Sequence, residues 1–427
     1  MKTSMKRRFT RREMLQAGLP AAIVLAGASR PTPGAEQGEA RRELPPVRAI
    51  TRGPKYHWFG YYDKAEFDPQ CRYVLGMEVD FEHRAPTPDD EIRVGMVDLR
   101  GNDAWIELGR SRAWCWQQGC MLQWRPGAAG EVLWNDREGG RFVCHLLDVG
   151  SRRKRTIPHP IYTVSRDGRC AAAPDFARLN DVRPGYGYAG PPDPFREVLA
   201  PKDSGIWRID LESGRRELIV SLAELAKVPY PKGDLSGAKH WFNHLLFNTD
   251  GTRLEFLHRW RSPGQAGFST RMCTVAVGGG DLRIIDHSGQ TSHFIWRDPK
   301  HILAWSWHPS HGNAFYLFED KEGGKVEVVG KGVMSQNGHC SYLPGNDWIL
   351  SDTYPDKKRN QHVYLYHVAT GRKVPLGSFQ SPRQYEGQWR CDTHPRFSPD
   401  RRWVAIDSPH GSQGRQLYLI DLGGLVG

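Results

Sequence analysis

The sequence lacks three features that would each place it in a familiar class of protein. The apolar run from Ala17 to Ala28 is shorter than the roughly 20 residues that a membrane-spanning helix needs. The eight cysteines contain no Cys-x-x-Cys pair and no dense pattern, so they do not indicate a disulfide scaffold. Lysine and arginine are interleaved with acidic residues, so the net charge of +11 does not indicate nucleic-acid binding. We therefore expect no nucleic-acid partner and no stable membrane span.

Turn-forming and aromatic residues are abundant instead. The 427 residues include 46 Gly, 30 Pro, 15 Trp, 15 Tyr and 16 Phe. Gly and Pro separate short strands, and large aromatic residues favour strands. The composition predicts mainly β structure.

A short turn pattern occurs seven times along the chain. Each copy has an aromatic or apolar residue, then polar, Pro, Asx or Gly residues, and then an apolar run typical of a strand. The third copy, for example, reads Val-Ser-Arg-Asp-Gly-Arg-Cys. The copies begin at Phe67, Trp124, Val164, Phe247, Trp296, Leu343 and Phe397.

The spacing of these turns predicts the fold. Most intervals between copies are 40 to 57 residues long, which is the range of a four-stranded propeller blade. We therefore predict an all-β protein, a seven-bladed β-propeller that occupies residues 50–427 as a single domain. The one long interval contains residues 175–205, which are rich in Pro, Gly and Tyr. We expect this segment to form a long loop over one face, as functional lids often do.

The first residues are typical of an export signal. A basic stretch from Lys2 to Arg12 precedes the apolar run, and small residues suited to cleavage follow. The stretch from Thr10 to Gln16 resembles the twin-arginine signal of proteins that are exported already folded. We predict a twin-arginine-type signal peptide at residues 1–28, a linker at 29–49, use of the twin-arginine export machinery, and a periplasmic or secreted location. A short membrane anchor is the alternative for this segment.

Histidine is concentrated in the second half of the chain. Thirteen of the 17 histidines follow residue 239, and four of them occupy equivalent places beside a blade turn. Equivalent places in a propeller converge around the central channel, so residues distant in sequence can form one site. A single histidine in a β protein is usually structural, whereas such a set favours a metal or ligand site. The four residues are His244, His293, His339 and His394.

Five stretches in the second half carry a family resemblance. They are Phe242-Asn-His-Leu-Leu-Phe-Asn-Thr-Asp-Gly, Thr270-Arg-Met, Thr291-Ser-His-Phe-Ile-Trp, Gly338-His-Cys-Ser-Tyr and Thr393-His-Pro-Arg-Phe-Ser-Pro-Asp. From about residue 238 to the end, the chain resembles the oligogalacturonate lyases and, more loosely, the propeller ulvan lyases. The resemblance implies a seven-bladed propeller that cleaves uronate oligosaccharides by metal-assisted β-elimination.

The same resemblance implies roles for individual residues. Metal ligands fall on His339 and His394, with Asp392 where the family has a further histidine and Gln388 shifted by one position from the family's glutamine. The catalytic base falls on His293 and a charge-stabilising arginine on Arg271. The expected metal ligands are thus His339, Asp392, His394 and Gln388, and the expected catalytic residues are His293, Arg271 and His244.

The chemistry of β-elimination agrees with this assignment. Removing the C5 proton of a uronate requires a base, neutralisation of the adjacent carboxylate, and a proton donor for the leaving oxygen. A neutral imidazole at His293 can accept the proton, while a cation and Arg271 hold the carboxylate. Tyr186, Tyr188 or a water molecule can supply the last proton.

The ligand types narrow the choice of metal. Imidazole with carboxylate suits Mn or Zn better than Ca. Cys391 as a ligand would favour Zn, but residues 391 and 392 point in opposite directions along a strand, and we prefer Asp392. Cys115 and Cys120 are close enough in sequence to bridge in an oxidising compartment.

The sequence thus predicts an exported polysaccharide lyase that acts on an acidic, uronate-containing glycan. The main alternative is a non-catalytic exported propeller that binds a glycan or a protein. A third possibility, metal-dependent hydrolysis, would need a metal-bound water opposite the scissile bond.

Overall fold

The computed structural model describes residues 43–426. The predicted export signal and most of the predicted linker lie outside the described residues. No helix within residues 43–426 has the length and apolar character needed to cross a membrane.

Seven four-stranded antiparallel sheets form a ring, which confirms the predicted seven-bladed propeller. In blades 1 to 6 the four strands are consecutive in the chain and pair with their sequence neighbours. The first three blades follow a short first strand, β1 (Val47–Ala49). They contain β2 (Tyr56–Trp58), β3 (Tyr73–Val79), β4 (Ile92–Asp98) and β5 (Ala104–Ser111) in blade 1; β6 (Gln123–Trp124), β7 (Glu131–Glu138), β8 (Arg141–Asp148) and β9 (Lys154–Ile157) in blade 2; and β10 (Thr163–Val164), β11 (Cys170–Ala173), β12 (Gly205–Asp210) and β13 (Arg216–Ser221) in blade 3.

The other blades continue the same pattern. They contain β14 (Lys239–Phe247), β15 (Arg253–Arg261), β16 (Ser269–Ala276) and β17 (Arg283–Gly289) in blade 4; β18 (Phe294–Asp298), β19 (His301–His308), β20 (Gly312–Glu319) and β21 (Val326–Val329) in blade 5; β22 (Cys340–Tyr342), β23 (Trp348–Ser351), β24 (Asn360–His367) and β25 (Lys373–Gln380) in blade 6; and β26 (Arg396–Phe397), β27 (Trp403–Ser408) and β28 (Gln416–Asp421) in blade 7.

Blade 7 is completed by the start of the described chain. Strand β1 pairs antiparallel with β28, with Val47 opposite Ile420 and Ala49 opposite Tyr418. This pairing corrects the predicted linker, whose last three residues belong to the propeller. The sequence pattern missed them because a three-residue edge strand with two of its side chains exposed carries little periodic signal.

The seven turns join the first and second strands of each blade. In blade 4 the Asp250 carboxylate accepts the Thr252 backbone N–H at 3.0 Å. Gly251 has a φ of +76°, a conformation that a side chain would strain. Local turn chemistry therefore sets the blade spacing that the sequence reveals.

Apolar side chains fill the spaces between blades. Leu75, Met77 and Val94 of blade 1 are fully buried, for example, and pack in one cluster with Trp58 and Trp134. Each such residue contributes about 1.5–3 kcal/mol by leaving water. These clusters fix the blades and so fix the side chains around the channel.

The segment between β11 and β12 matches the predicted long loop, but it is firmly anchored. It contains helix α1 (Phe176–Val182), whose Asp175 cap accepts two backbone N–H groups. The guanidinium of Arg178 is buried, pairs with Asp193 at 3.0 Å, and donates to four backbone carbonyls. A second short helix, α2 (Leu222–Ala226), follows β13. These contacts hold the segment in place beside the channel.

The channel is crossed by the segment between β2 and β3. The Tyr62 hydroxyl donates to the Phe294 carbonyl at 2.7 Å and accepts the Phe294 N–H at 3.0 Å, which links blade 1 to blade 5 across the ring. The Lys64 ammonium pairs with Asp63 and lies 4.7 Å from the Tyr162 ring of blade 3. A cavity of about 490 Å³ lies on the turn side of this crossing segment.

Candidate metal centre

Equivalent positions in the seven blades converge on the other side of the crossing segment. Each blade contributes at least one polar side chain from its first strand or from the residues near that strand, and these side chains form a continuous set of contacts. They are Tyr61 and Tyr62 in blade 1, Gln118 in blade 2, Tyr162 in blade 3, His244 in blade 4, His293 in blade 5, His339 in blade 6 and His394 in blade 7.

Three of the four predicted metal ligands come together here. His339, Asp392 and His394 offer ligand atoms that lie within 4.8 Å of one another. All three residues are buried, and the two imidazole rings are 4.2 Å apart between centroids. Two imidazoles and a carboxylate form a donor set that suits Mn or Zn.

The hydrogen bonds of these residues fit a cation. His394 Nε2 is buried and has no hydrogen-bond partner among residues 43–426. One oxygen of Asp392 accepts the Arg390 Nε–H at 2.7 Å, which leaves the second oxygen for a cation. A buried imidazole nitrogen without a partner is costly unless a ligand satisfies it.

Asp352 orients His339 from behind. His339 Nδ1 lies 3.0 Å from both carboxylate oxygens, so Nδ1–H donates to Asp352 and Nε2 keeps its lone pair. Asp352 also accepts the His339 backbone N–H at 2.7 Å and the Thr393 hydroxyl at 2.6 Å. A carboxylate behind a ligating histidine is the usual arrangement in metal sites. Only glycine fits before His339, because a Cβ at Gly338 would lie 1.9 Å from the Asp352 carbonyl oxygen.

The pKa of His339 is shifted upward, whereas the pKa values of the other three site histidines are shifted downward. Burial opposes protonation of His339, but the Asp352 carboxylate raises its pKa above the ordinary value. Burial lowers the pKa of His394 well below that value, and the charge of His339 lowers it further. Protons and a cation therefore compete mainly at His339.

His293 lies beside the metal ligands, and its Nε2 is the nitrogen that can act as a base. Its ring is 4.2 Å from that of His339. Nδ1 lies 2.9 Å from the Asn337 side-chain oxygen, so Nδ1 carries the proton and Nε2, 3.4 Å from the Tyr354 hydroxyl, is the basic nitrogen. Burial lowers the pKa of His293 well below its ordinary value, which keeps the ring neutral at pH 7.

His244 lies in the same cluster, and each of its ring nitrogens contacts a tyrosine hydroxyl. Nδ1 is 3.1 Å from the Tyr162 hydroxyl and Nε2 is 3.4 Å from the Tyr61 hydroxyl. The His244 and Tyr61 rings stack at 5.0 Å. The backbone of His244 and that of His394 are in the left-handed region, with φ of 53° and 39°. Such strain is often stored at functional sites.

Arg271 and Gln388, the two other residues predicted for the site, make different contacts from the histidines. Arg271 donates from both terminal nitrogens to the Val228 carbonyl, and its guanidinium lies 5.1 Å from the Trp260 ring. Within residues 43–426 it makes no hydrogen bond to the four site histidines. Gln388 lies in a 3₁₀ turn (Gly387–Trp389), where its carbonyl accepts the Gln117 amide and its side chain lies beside Gly185.

The cysteines take no part in this arrangement. Cys391 is buried and is not in the three-residue ligand group, although it precedes Asp392. Cys115 and Cys120 are free thiols, so the bridge considered from the sequence is not formed. Burial raises the pKa of Cys115 to about 12, which keeps this thiol protonated and unreactive at pH 7.

The sequence analysis missed three arginines that surround the site. Arg390 follows the 3₁₀ turn and donates to the Tyr186 hydroxyl at 2.6 Å. Arg183 ends α1 and lies 4.3 Å from the Tyr186 ring. Arg259 is buried in β15. Their only sequence signal is arginine near an aromatic residue or a histidine, which occurs at many other positions of this chain.

Tyr186 is the predicted proton donor that the structure places in the cluster. Its ring meets that of His244 edge to face at 5.6 Å. Burial would raise the pKa of its phenol, but the charges of Arg390 and Arg183 lower it to about 8. Tyr188 instead stacks on Phe176 at 4.2 Å and contacts Asn135, which is a structural role.

Comparison with known proteins supports the fold. No protein-family model matches the sequence, and no curated protein matches it. Among solved structures, an oligogalacturonate lyase in complex with manganese is 14% identical, with a TM-score of 0.64 over 88% of this chain and 92% of that one. An oligogalacturonate lyase from Vibrio parahaemolyticus is also 14% identical, with a TM-score of 0.63 over 89% of this chain and 94% of that one. TolB from Acinetobacter baumannii is 14% identical over 82% of this chain and 80% of that one, with a TM-score of 0.40. The expected similarity to oligogalacturonate lyases is thus confirmed at the level of the propeller fold.

Proposed function

We propose that this protein is an exported, metal-dependent polysaccharide lyase that cleaves a uronate-containing glycan by β-elimination. One observation carries the proposal: three buried ligand-type side chains lie together, one of them with an unpartnered imidazole nitrogen, and a neutral histidine lies beside them with its Nδ1 held by Asn337. A binding module would need no neutral base next to a cation site. The oligogalacturonate lyase with a related fold contains manganese, which supports Mn as the first metal to test.

The proposed reaction assigns one role to each group. His339, Asp392 and His394 would hold the cation. A divalent cation bound there supplies positive charge that stabilises the uronate carboxylate as the C5 proton becomes acidic. His293 Nε2 accepts the C5 proton, the C4–O bond breaks, and a C4=C5 double bond forms. The leaving oxygen takes a proton from Tyr186, whose pKa of about 8 leaves the phenol protonated at pH 7.

We expect a glycan to approach these groups from the rim of the cluster. Ser292, Tyr354 and Arg390 are half-buried, whereas the histidines behind them are buried. A sugar at the rim can therefore present its carboxylate and C5 proton to the buried groups while the rest of the chain lies outside. Water is excluded from the base, which strengthens the electrostatic interactions inside.

The direct test is turnover of a panel of uronate glycans, followed by the ultraviolet absorbance of the unsaturated product. We expect product with at least one acidic glycan in the presence of Mn²⁺, and loss of turnover after treatment with a chelator. The absence of product from every glycan, or turnover that a chelator leaves unchanged, would refute the proposal.

We propose that the protein reaches its substrate by twin-arginine export. The motif lies at Arg11 and Arg12. Changing both to Lys should leave the precursor inside the cell, because the receptor reads the two guanidinium groups. Normal export of the double variant would exclude this route.

A further inference from the structure

A second cavity, with a volume of about 330 Å³, lies where the segment between β11 and β12 meets blades 2 and 3. Residues 174–177, Pro191, Pro192 and Pro194 of this segment form one side of it. The turn from β7 to β8, the residues after β9, and strands β12 and β13 contribute the rest. The volume is within the range of small-molecule sites, which begins at about 300 Å³.

The walls of this cavity are apolar and rigid. Six prolines line it, together with the aromatic side chains of Phe142, Phe176 and Trp207. Proline rings and aromatic rings present flat surfaces with few alternative conformations. Among residues 43–426, no Asn, Gln, Ser, Thr or Tyr side chain lines the cavity. The lining therefore does not suit a ligand rich in hydroxyl groups, such as a sugar.

The one carboxylate in the described lining is already used within the fold. Asp175 Oδ1 accepts the backbone N–H groups of Ala177 and Arg178 at 3.0 and 3.1 Å. Asp175 Oδ2 accepts the Ser204 hydroxyl at 3.4 Å. Both oxygens of this carboxylate therefore stabilise the segment itself, and the other ionisable side chains of the lining are all basic.

Three basic side chains converge on the cavity without an acidic partner. Arg141 and Arg216 are exposed at its mouth, and His159 is half-buried. Within residues 43–426, none of the three forms a salt bridge or a side-chain hydrogen bond. Burial, followed by the charges of Arg216 and Arg141, lowers the pKa of His159 to about 4, so this ring is neutral at pH 7. The Arg216 guanidinium lies 4.2 Å from the Trp207 ring, which holds its charge beside the apolar wall.

The cavity on the turn side of the channel differs in its charges. The buried cations in its lining, Lys64 and Arg396, pair with Asp63 and with Glu66. The cavity between blades 2 and 3 instead has two guanidinium groups without a counter-charge, next to an apolar surface. Charge complementarity therefore favours an anion that has an apolar body.

We propose that the cavity between blades 2 and 3 binds a small aromatic carboxylate. The ring lies among the prolines and beside Trp207, and the carboxylate accepts N–H groups from Arg141 and Arg216. Arginine presents paired donors that match a carboxylate, and an aromatic ring gains free energy when apolar walls replace water around it. The site does not depend on the proposed lyase reaction, because none of these side chains belongs to the candidate metal centre.

Calorimetry with two probes of the same shape tests the proposal. The probes are cinnamate and its neutral amide, cinnamamide. We expect cinnamate to bind about 10- to 100-fold more tightly, because a hydrogen bond to a charged group is worth that factor. Arg216→Gln should remove most of this preference. Arg215→Gln is the matched control, because it removes the same charge from an exposed neighbour that does not line the cavity, and it should leave the preference unchanged.

A second arm tests the apolar wall and the independence from the metal. Trp207→Leu should weaken both probes by about 3- to 10-fold, because it removes a flat surface and keeps the charges. Circular dichroism checks that this variant folds, and the exposed Arg216→Gln decides the question if it does not. A chelator and the His293→Ala change should each leave the affinity for cinnamate unchanged.

The outcomes are distinct. Absence of cinnamate binding, equal affinities for the two probes, or the same loss in Arg215→Gln as in Arg216→Gln would overturn the proposal. Binding that a chelator abolishes would also overturn it, because the carboxylate would then bind at the metal centre. Failure of the wild-type protein to form unsaturated product, with the Arg216-dependent preference intact, would refute the lyase reaction and leave this site standing.

Discussion

Two groups of the same residue types occur in this protein, in very different surroundings. His339, Asp392 and His394 lie at the channel, where all three are buried. Asp136, Glu138 and His145 lie on blade 2, where Asp136 is half-buried and Glu138 is exposed. In both groups the ligand atoms lie within 4.8 Å of one another, which is close enough for them to bind one metal ion.

The hydrogen bonds distinguish the two groups. His145 is satisfied on both sides, with Nδ1 3.0 Å from the Thr156 hydroxyl and Nε2 3.2 Å from Asp136. His394 Nε2 has no partner within residues 43–426, and His339 is held by Asp352 with Nε2 directed away from it. The comparison shows that the spacing of the ligand atoms alone does not define a candidate metal site. An unsatisfied buried nitrogen and a carboxylate that supports a ligating histidine define it.

The largest expected effect is loss of the metal at the channel. His339→Ala should remove the bound Mn²⁺ or Zn²⁺ and abolish turnover, because it deletes a ligand from a three-residue set. His145→Ala should change neither. Metal content by mass spectrometry after dialysis, together with product absorbance, checks both. Loss of the metal from His145→Ala but not from His339→Ala would reverse the comparison.

The next effect separates the base from the ligands. His293→Ala should lower kcat by about 10²- to 10⁴-fold, the usual contribution of a general base, while metal content stays unchanged. His311→Ala, an exposed histidine of blade 5, is the control. Unchanged turnover in His293→Ala would remove this residue from the reaction. Loss of the metal would make it a ligand.

A smaller effect is expected when the carboxylate of Asp352, which accepts the His339 Nδ1–H, is changed to an amide. Asp352→Asn keeps the shape but weakens the hold on the Nδ1–H tautomer, and it should reduce metal affinity by about 10- to 100-fold. Asp136→Asn makes the same change next to His145 and should leave metal affinity as it is. Metal titration in competition with a chelating dye measures both. Equal affinities for Asp352→Asn and wild type would contradict the supporting role.

The smallest effect concerns two buried histidines outside both groups. His240 Nδ1 lies 2.8 Å from His258 Nε2. Burial lowers the pKa of His240 to about 4 and that of His258 well below 6.5. The unfolded chain then binds more protons than the folded one as the pH falls below 6.5, so the stability present above pH 6.5 is lost progressively toward pH 4.

Each of these two histidines should contribute a loss of about 1.4 kcal/mol per pH unit in that window. Urea unfolding of metal-free protein at pH 7.5, 6.0 and 5.0 measures this loss. His258→Phe should flatten the dependence by one histidine, and His311→Ala should not. A free energy of unfolding that is constant between pH 6.5 and 5 would contradict the assignment.

The sequence by itself determined the propeller and the convergence of its histidines. Turn residues such as those of Asn248–Gly251 act locally, so their spacing survives as a visible period, and the blade count follows from it. His293, His339 and His394 each lie three or four residues before such a turn copy, as the sequence shows. Equivalent positions in equivalent blades must converge, which is why the structure brings these residues together.

Only the tertiary structure decided which other side chains join them. In β15, eight consecutive residues from Arg253 to Trp260 are buried, so no polar and apolar alternation reveals which blade each side chain faces. Arg259 lies against Phe268, and its charge lowers the pKa of His244 at the site, whereas Arg271, on the next strand, contacts Trp260 and Val228. The contact of Asp352 with His339 could not be predicted from the sequence for a similar reason. The partners of Asp352, which are His339 and Thr393, belong to two different blades. Contacts between blades depend on how the ring closes, and no local pattern records that.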